Sequence, residues 1–103
     1  MFDRTLKRMR EKVRARQYVM TVHAEEEMED DKLTIFDVEH GILTGKIVER
    51  QKDRDTGEWK YVIHGRALAD QETIVAAKLS PTGKLVILTV YSVQRDKENP
   101  DGV

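Results

Sequence analysis

His64 and Arg66 stand two residues apart in the stretch Trp59-Lys60-Tyr61-Val62-Ile63-His64-Gly65-Arg66. Its side chains alternate, with Trp59, Tyr61 and Ile63 on one side and Lys60, Val62, His64 and Arg66 on the other. Alternation with period two predicts a β-strand. On a strand, residues i and i+2 share a face about 7 Å apart, so an imidazole and a guanidinium can flank one phosphate. That combination suits metal-independent RNA cleavage. A base takes the proton of the 2′-hydroxyl, cations stabilise charge on the phosphorane, and an acid protonates the leaving oxygen. Histidine is the most versatile acid–base because its free pKa lies near neutrality, and Arg and Lys supply the electrostatic part. Lys78, on the next strand in sequence, is a second candidate cation, although its face depends on a pairing register the sequence does not give. Tyr91 ends the last strand and offers a phenol or a surface for base stacking. The candidate catalytic set is therefore His64, Arg66, Lys78 and Tyr91. The same residues also fit a solvated sheet face making ordinary cross-strand contacts, or one that binds phosphate without cutting it.

Other candidates are weaker. Lys60, interleaved with Trp59 and Tyr61, has the pattern of an RNA-binding face, yet those two aromatics lie opposite His64 and fit the core side better. His40 reads as a surface residue. The three histidines show neither i, i+4 helical spacing nor a tight His-x-His pair, so no metal site is expected. Glycine-rich phosphate loops are absent, and no cofactor is expected.

These residues need elements to hold them. Phe2, Leu6, Met9 and Val13 recur at spacings of four, three and four, the stripe of an amphipathic helix whose remaining surface is basic. Tyr18 to Val22 is β-rich and fits a short strand or an extended lead-in. His23 to Asp31 is an acidic helical stretch with Thr21 as its cap. Thr34 with Asp37 resembles a capping box for a third helix carrying Ile35, Val38 and Ile42, and Gly45 is its stop. Four strands follow: Lys46 to Lys52, then Trp59 to Arg66 after a hairpin loop, then Thr73 to Leu79, then Leu85 to Tyr91. The last is almost wholly apolar, the pattern of a central strand covered on both faces. The expected fold is α+β, with two to three N-terminal helices packed on one face of a four-stranded, mainly antiparallel sheet. Residues 1–93 form one domain in this reading, with 1–16 its basic helix and 94–103 a polar, frayed tail.

Composition sets limits. A chain of 103 residues is one domain. The net charge of −1 gives the whole molecule no polycation character, and 36% charged residues imply a heavily solvated surface. The charges are segregated, however. Basic residues crowd Met1 to Arg16 and acidic ones Ala24 to Glu39, a polarisation that can steer a charged partner. Without cysteine there are no disulfides or thiolate metal sites, which fits a cytoplasmic chain. No apolar run approaches membrane-spanning length.

The string Thr21-Val22-His23-Ala24, then Met28, Asp37-Val38-Glu39 and Gly45-Lys46-Ile47-Val48-Glu49, closing with Leu88-Thr89-Val90-Tyr91, resembles a bacterial family of domains of unknown function. That family's pattern runs T-x-H-A-x-x-R-M, D-V-E, G-x-I-I-E, I-T-V-Y. The match covers roughly residues 18 to 92. Members resemble small toxins of the RelE, MqsR and BrnT kind, which implies helices followed by a curved antiparallel sheet, mRNA or the ribosome as target, and an antitoxin protein as partner. The resemblance also implies a role for His23, here taken as RNA-binding together with Lys60. One departure stands out: the family's Arg before Met28 is Glu27 here. The rival expectation is a non-catalytic module whose basic first helix binds a protein or a second copy of the chain.

Overall fold

The computed structural model describes residues 1–93, so the tail expected at 94–103 lies outside the described residues. Helix α1 (Asp3–Arg14) forms on the apolar spacing and buries Leu6, Met9 and Val13. Strand β1 (Tyr18–Met20) leads into α2 (Val22–Asp30), where the Thr21 hydroxyl accepts from the Ala24 N–H at 3.1 Å. Helix α3 (Ile35–Thr44) opens on the expected capping box, the Thr34 hydroxyl accepting from the Asp37 N–H and the Asp37 carboxylate from the Thr34 N–H. Strands β2 (Lys46–Lys52), β3 (Trp59–Arg66), β4 (Glu72–Leu79) and β5 (Leu85–Ser92) complete the order.

The sheet has five strands in the order β1-β5-β4-β3-β2 and is mixed. The expected four-stranded sheet is corrected by one strand. Tyr18, Val19 and Met20 pair in parallel with Leu85, Val86 and Ile87. A three-residue strand between two helices carries no local sign of a partner so far along the chain. The remaining pairs are antiparallel, as expected.

All three helices pack on one face. Ile63, Gly65, Thr73, Val75, Ala77, Leu85, Ile87 and Val90 are buried there, against Met9, Val13, Ala24, Val38 and Ile42 from the helices. The other face carries Lys60, Val62, His64 and Arg66, flanked in register by Ala76, Ile74 and Glu72, with Lys78 two residues beyond Ala76 on β4. β5 is not covered on both faces as its composition suggested. Its outward Val86 and Thr89 are half-buried and Tyr91 is exposed. Its neighbours β1 and β4, rather than a second layer, account for the shelter along its length.

Two devices lock the layers together, one between α3 and the sheet and one between α1 and α3. A Cβ on Gly65 would lie 2.0 Å from the Gly41 carbonyl oxygen, and one on Gly45 would lie 2.4 Å from that of His64. The backbone of α3 thus lies directly on that of β3, a separation only glycine permits. Arg10 of α1 then donates from Nε to the Ile42 carbonyl at 3.1 Å and from Nη2 to the Gly45 carbonyl at 2.6 Å. These are carbonyls at the end of α3, where a cation also suits the helix dipole.

A candidate phosphate cleft on the open sheet face

The end of β3 is held by α3. The Arg66 N–H donates to the Thr44 hydroxyl at 3.3 Å, which in turn donates to the His40 carbonyl at 2.7 Å. His40 Nδ1 lies 2.7 Å from the Arg66 carbonyl oxygen. A carbonyl only accepts, so Nδ1 carries the proton and the tautomer is fixed. His40 is therefore not the unengaged surface residue its position suggested. Nearby, the buried Asp37 carboxylate accepts from the Leu68 N–H at 3.0 Å and anchors the turn after β3. Burial pushes the Asp37 pKa up, but the hydrogen bonds from Thr34 and Leu68 outweigh it and hold the carboxyl below its ordinary value.

This frame presents His64 and Arg66 together on the open face, both exposed, while Ile63 and Gly65 point under α3. The parity expectation for that pair is what the backbone shows. The neighbouring cation is Lys46, not Lys78. Lys46 is the cross-strand partner of His64, which sets their Cα atoms about 5 Å apart. Thr44, Lys46, Val48, His64, Gly65, Arg66 and Glu72 line one shallow cleft of about 250 Å³. Glu72 is opposite Arg66 in register, and the Arg66 guanidinium donates to the Asp70 carbonyl at 3.2 Å. The cleft is thus a cationic rim with one acidic neighbour.

Lys78 shares the face but not the site. Ile74 is the residue opposite His64, and four residues of strand separate it from Lys78, about 13 Å. Its ammonium is 2.6 Å from Glu58 Oε1 and is committed to that ion pair. Tyr91 pairs with Ile74 and so lies two strands from His64, about 10 Å away. It can flank the cleft but not share a phosphate with His64. Lys60 is on the same face, at the far end of β3, opposite Gln51. His23 is remote: it follows β1, which is three positions from β3 in the sheet, and its Nε2 lies 3.3 Å from Glu27 Oε1. The structure thus brings His64 and Arg66 together and leaves Lys78, Lys60 and His23 outside. The sequence does not single out Lys46, because only the β2–β3 register sets it beside His64. The Gly45-Lys46 strand start was the one available signal.

Glu27 has an architectural use. Beyond Ile87, β5 runs past the end of β1, and its edge N–H groups need acceptors. The Val90 N–H donates to Glu27 Oε1 at 3.2 Å and the Ser92 N–H to Asp31 Oδ2 at 2.7 Å. Two carboxylates of the acidic stretch thus stand in for a missing strand. Among the described residues, no cluster of three or more His, Cys, Asp or Glu is placed to hold a metal ion, and no helix is long and apolar enough to cross a membrane.

Fold and cleft together define an α+β protein whose helices back one face of a mixed sheet and whose other face bears a cationic pocket with a single imidazole. The chain belongs to the family described as Domain of unknown function (DUF4258), whose pattern matches residues 20–92. No curated protein and no solved structure matches it.

Proposed function

We propose that the Lys46–His64–Arg66 cleft binds a phosphate of RNA and that the chain is a RelE-like toxin-type endoribonuclease acting without a metal. The observation that carries this reading is the register: Lys46 faces His64 across the strand pair, with Arg66 two residues on, in one cleft. In this mechanism His64 removes the 2′-hydroxyl proton, and the 2′-oxygen attacks phosphorus. Lys46 and Arg66 neutralise the charge that builds on the non-bridging oxygens. The bond to the 5′-oxygen breaks, and that oxygen takes its proton from water or from the protonated His64. The products are a 2′,3′-cyclic phosphate and a free 5′-hydroxyl. Tyr91 offers a ring for a neighbouring base. An antitoxin would neutralise the chain by covering the open face.

A second reading has its own support. Among the described residues, nothing hydrogen-bonds the His64 imidazole to orient it, whereas His40 is tightly held. A site that only grips phosphate has no need for an oriented ring. The two readings separate on purified protein with unstructured RNA, with and without ribosomes. Cleavage predicts that His64→Ala slows the reaction about 10²- to 10⁴-fold and that Lys46→Ala slows it about 10²-fold, while Lys78→Ala leaves it near wild type. Undiminished cleavage by His64→Ala removes the imidazole from the mechanism. Binding without any cleavage selects the second reading.

A further inference from the structure

The open cleft does not end at His64. Thr44, Lys46 and Val48 also line a groove of about 690 Å³ that rounds the free edge of β2 and reaches Met1, Phe2 and Leu6 at the start of α1. Phe2 continues the path. Its ring meets Tyr61 edge-on at 5.9 Å, and the Arg50 guanidinium lies 5.8 Å from its centroid. Arg50 stacks at the same time over Trp59 at 4.1 Å, with the Lys52 ammonium 5.6 Å from that ring. Beyond Trp59 and Tyr61, a third hollow of about 290 Å³ opens against Thr5 and Arg8 of α1. Each hollow thus shares lining residues or a ring contact with the next.

We propose that single-stranded RNA runs along the outer edge of β2, from the His64 cleft to a second, stacking subsite formed by Trp59 and Arg50. The choice of RNA as ligand rests on the reading above. The choice of route rests on the edge itself. Lys46 to Lys52 covers about 20 Å of strand, room for several nucleotides. Lys46 stands on the His64 side of this edge and, past the register shift, Arg50 and Lys52 stand on the other side beside Tyr61 and Trp59, with Arg8 beyond, so the path crosses the edge as it runs. Of the acids on the path, Glu58 is paired with Lys78 at 2.6 Å, while Glu49, which accepts from Gln51 Nε2 at 2.9 Å, and Asp3, in the first turn of α1, keep their charge and are outnumbered by the cations. Alternating cations and an indole still 39% exposed suit a polyanion with flat bases. They suit an added protein strand poorly, because the register shift between Ile47 and Glu49 and the lysines at both ends of β2 oppose strand pairing.

Trp59 is the chain's one tryptophan, so its emission reports the subsite directly. The test uses the full chain and unstructured 2′-O-methyl RNA, which cannot be cleaved through its 2′-oxygen, at lengths of about 4 and about 12 nucleotides. Saturable quenching of Trp59 is expected, stronger for the longer oligonucleotide. Arg50→Ala and Arg50→Gln, with circular dichroism as the check on folding, should each weaken binding about five- to a hundredfold. Trp59→Ala, followed by anisotropy of labelled RNA, should weaken it comparably. Equal quenching by inorganic polyphosphate would reduce the subsite to a patch of charge and overturn the proposal. Cleavage of unmodified RNA without any change in Trp59 emission would overturn the route and leave the cleft standing. Quenching without cleavage would support the route and remove the nuclease. An emission change that follows self-association instead of RNA would make this edge a protein interface and end the proposal.

Discussion

At the scale of single residues, Asp37 joins the start of α3 to the turn that follows His64 and Arg66. Its carboxyl is held below its ordinary pKa, so its stabilising effect is complete above the unfolded value, about 3.9, and disappears as pH falls through the lower folded value. Asp37→Asn should therefore cost about 2 kcal/mol at neutral pH, and urea melts of the two proteins should converge in acid. Tyr18 behaves in the opposite sense. Burial, followed by the hydrogen bond its phenol donates to Glu39, pushes its pKa up to about 12. The stability linked to it is whole below the unfolded value near 10 and is lost as pH rises toward 12. Ultraviolet titration should show a late phenol that is absent in Tyr18→Phe. Thr73 is buried, and its hydroxyl has no hydrogen-bond partner among the described residues. Thr73→Val should stabilise the fold by about 1 kcal/mol in chemical denaturation, because the valine has no polar atom to desolvate. The Thr34–Asp37 cap was legible in the sequence because it spans three residues. Its bond to Leu68 was not, since that contact exists only once β3 is docked.

At the scale of elements, α3 and β3 meet backbone to backbone at Gly41 and Gly65. Gly65→Ala should cost at least about 3 kcal/mol, since the clash is with a main-chain carbonyl and cannot be relieved by a rotamer. Thermal melting gives the measurement. Helix α1, whose basic face the rival expectation gives to a partner, is also structural. Leu6, Met9 and Val13 lie in the core and Arg10 closes α3. Deleting residues 1–16 should therefore abolish cooperative unfolding, instead of merely removing a binding surface. Helix extents and the β2–β3 hairpin were readable because spacing and turn residues are local properties. The exchange of Lys78 for Lys46 was not readable. Both lie on strands beside β3, and only the cross-strand register decides which one faces His64.

At the scale of the molecule, the separated charges of the sequence are only partly a surface matter. Glu27 and Asp31 finish the edge of β5, and Arg10 finishes α3. The β2 strand sets Lys46, Arg50 and Lys52 against Glu49, a local excess of positive charge although the chain as a whole carries −1. RNA affinity should accordingly fall with added salt, with log Kd against log salt giving a slope of about −0.7 in log affinity for each phosphate contacted on a single strand. A slope near zero would argue against the edge as a polyanion track. The parallel pairing of β1 with β5 has a consequence for how the protein is made. Every residue of the cleft leaves the ribosome before Leu85, yet β1 has no partner until Leu85 to Ile87 emerge. Vectorial synthesis must hold the first strand unzipped while the cleft residues are already outside the tunnel, and β5 works as the closing clasp. A nascent chain stalled ahead of Leu85 should thus remain open to protease, and emergence of Leu85 to Ile87 should be the moment at which resistance sets in.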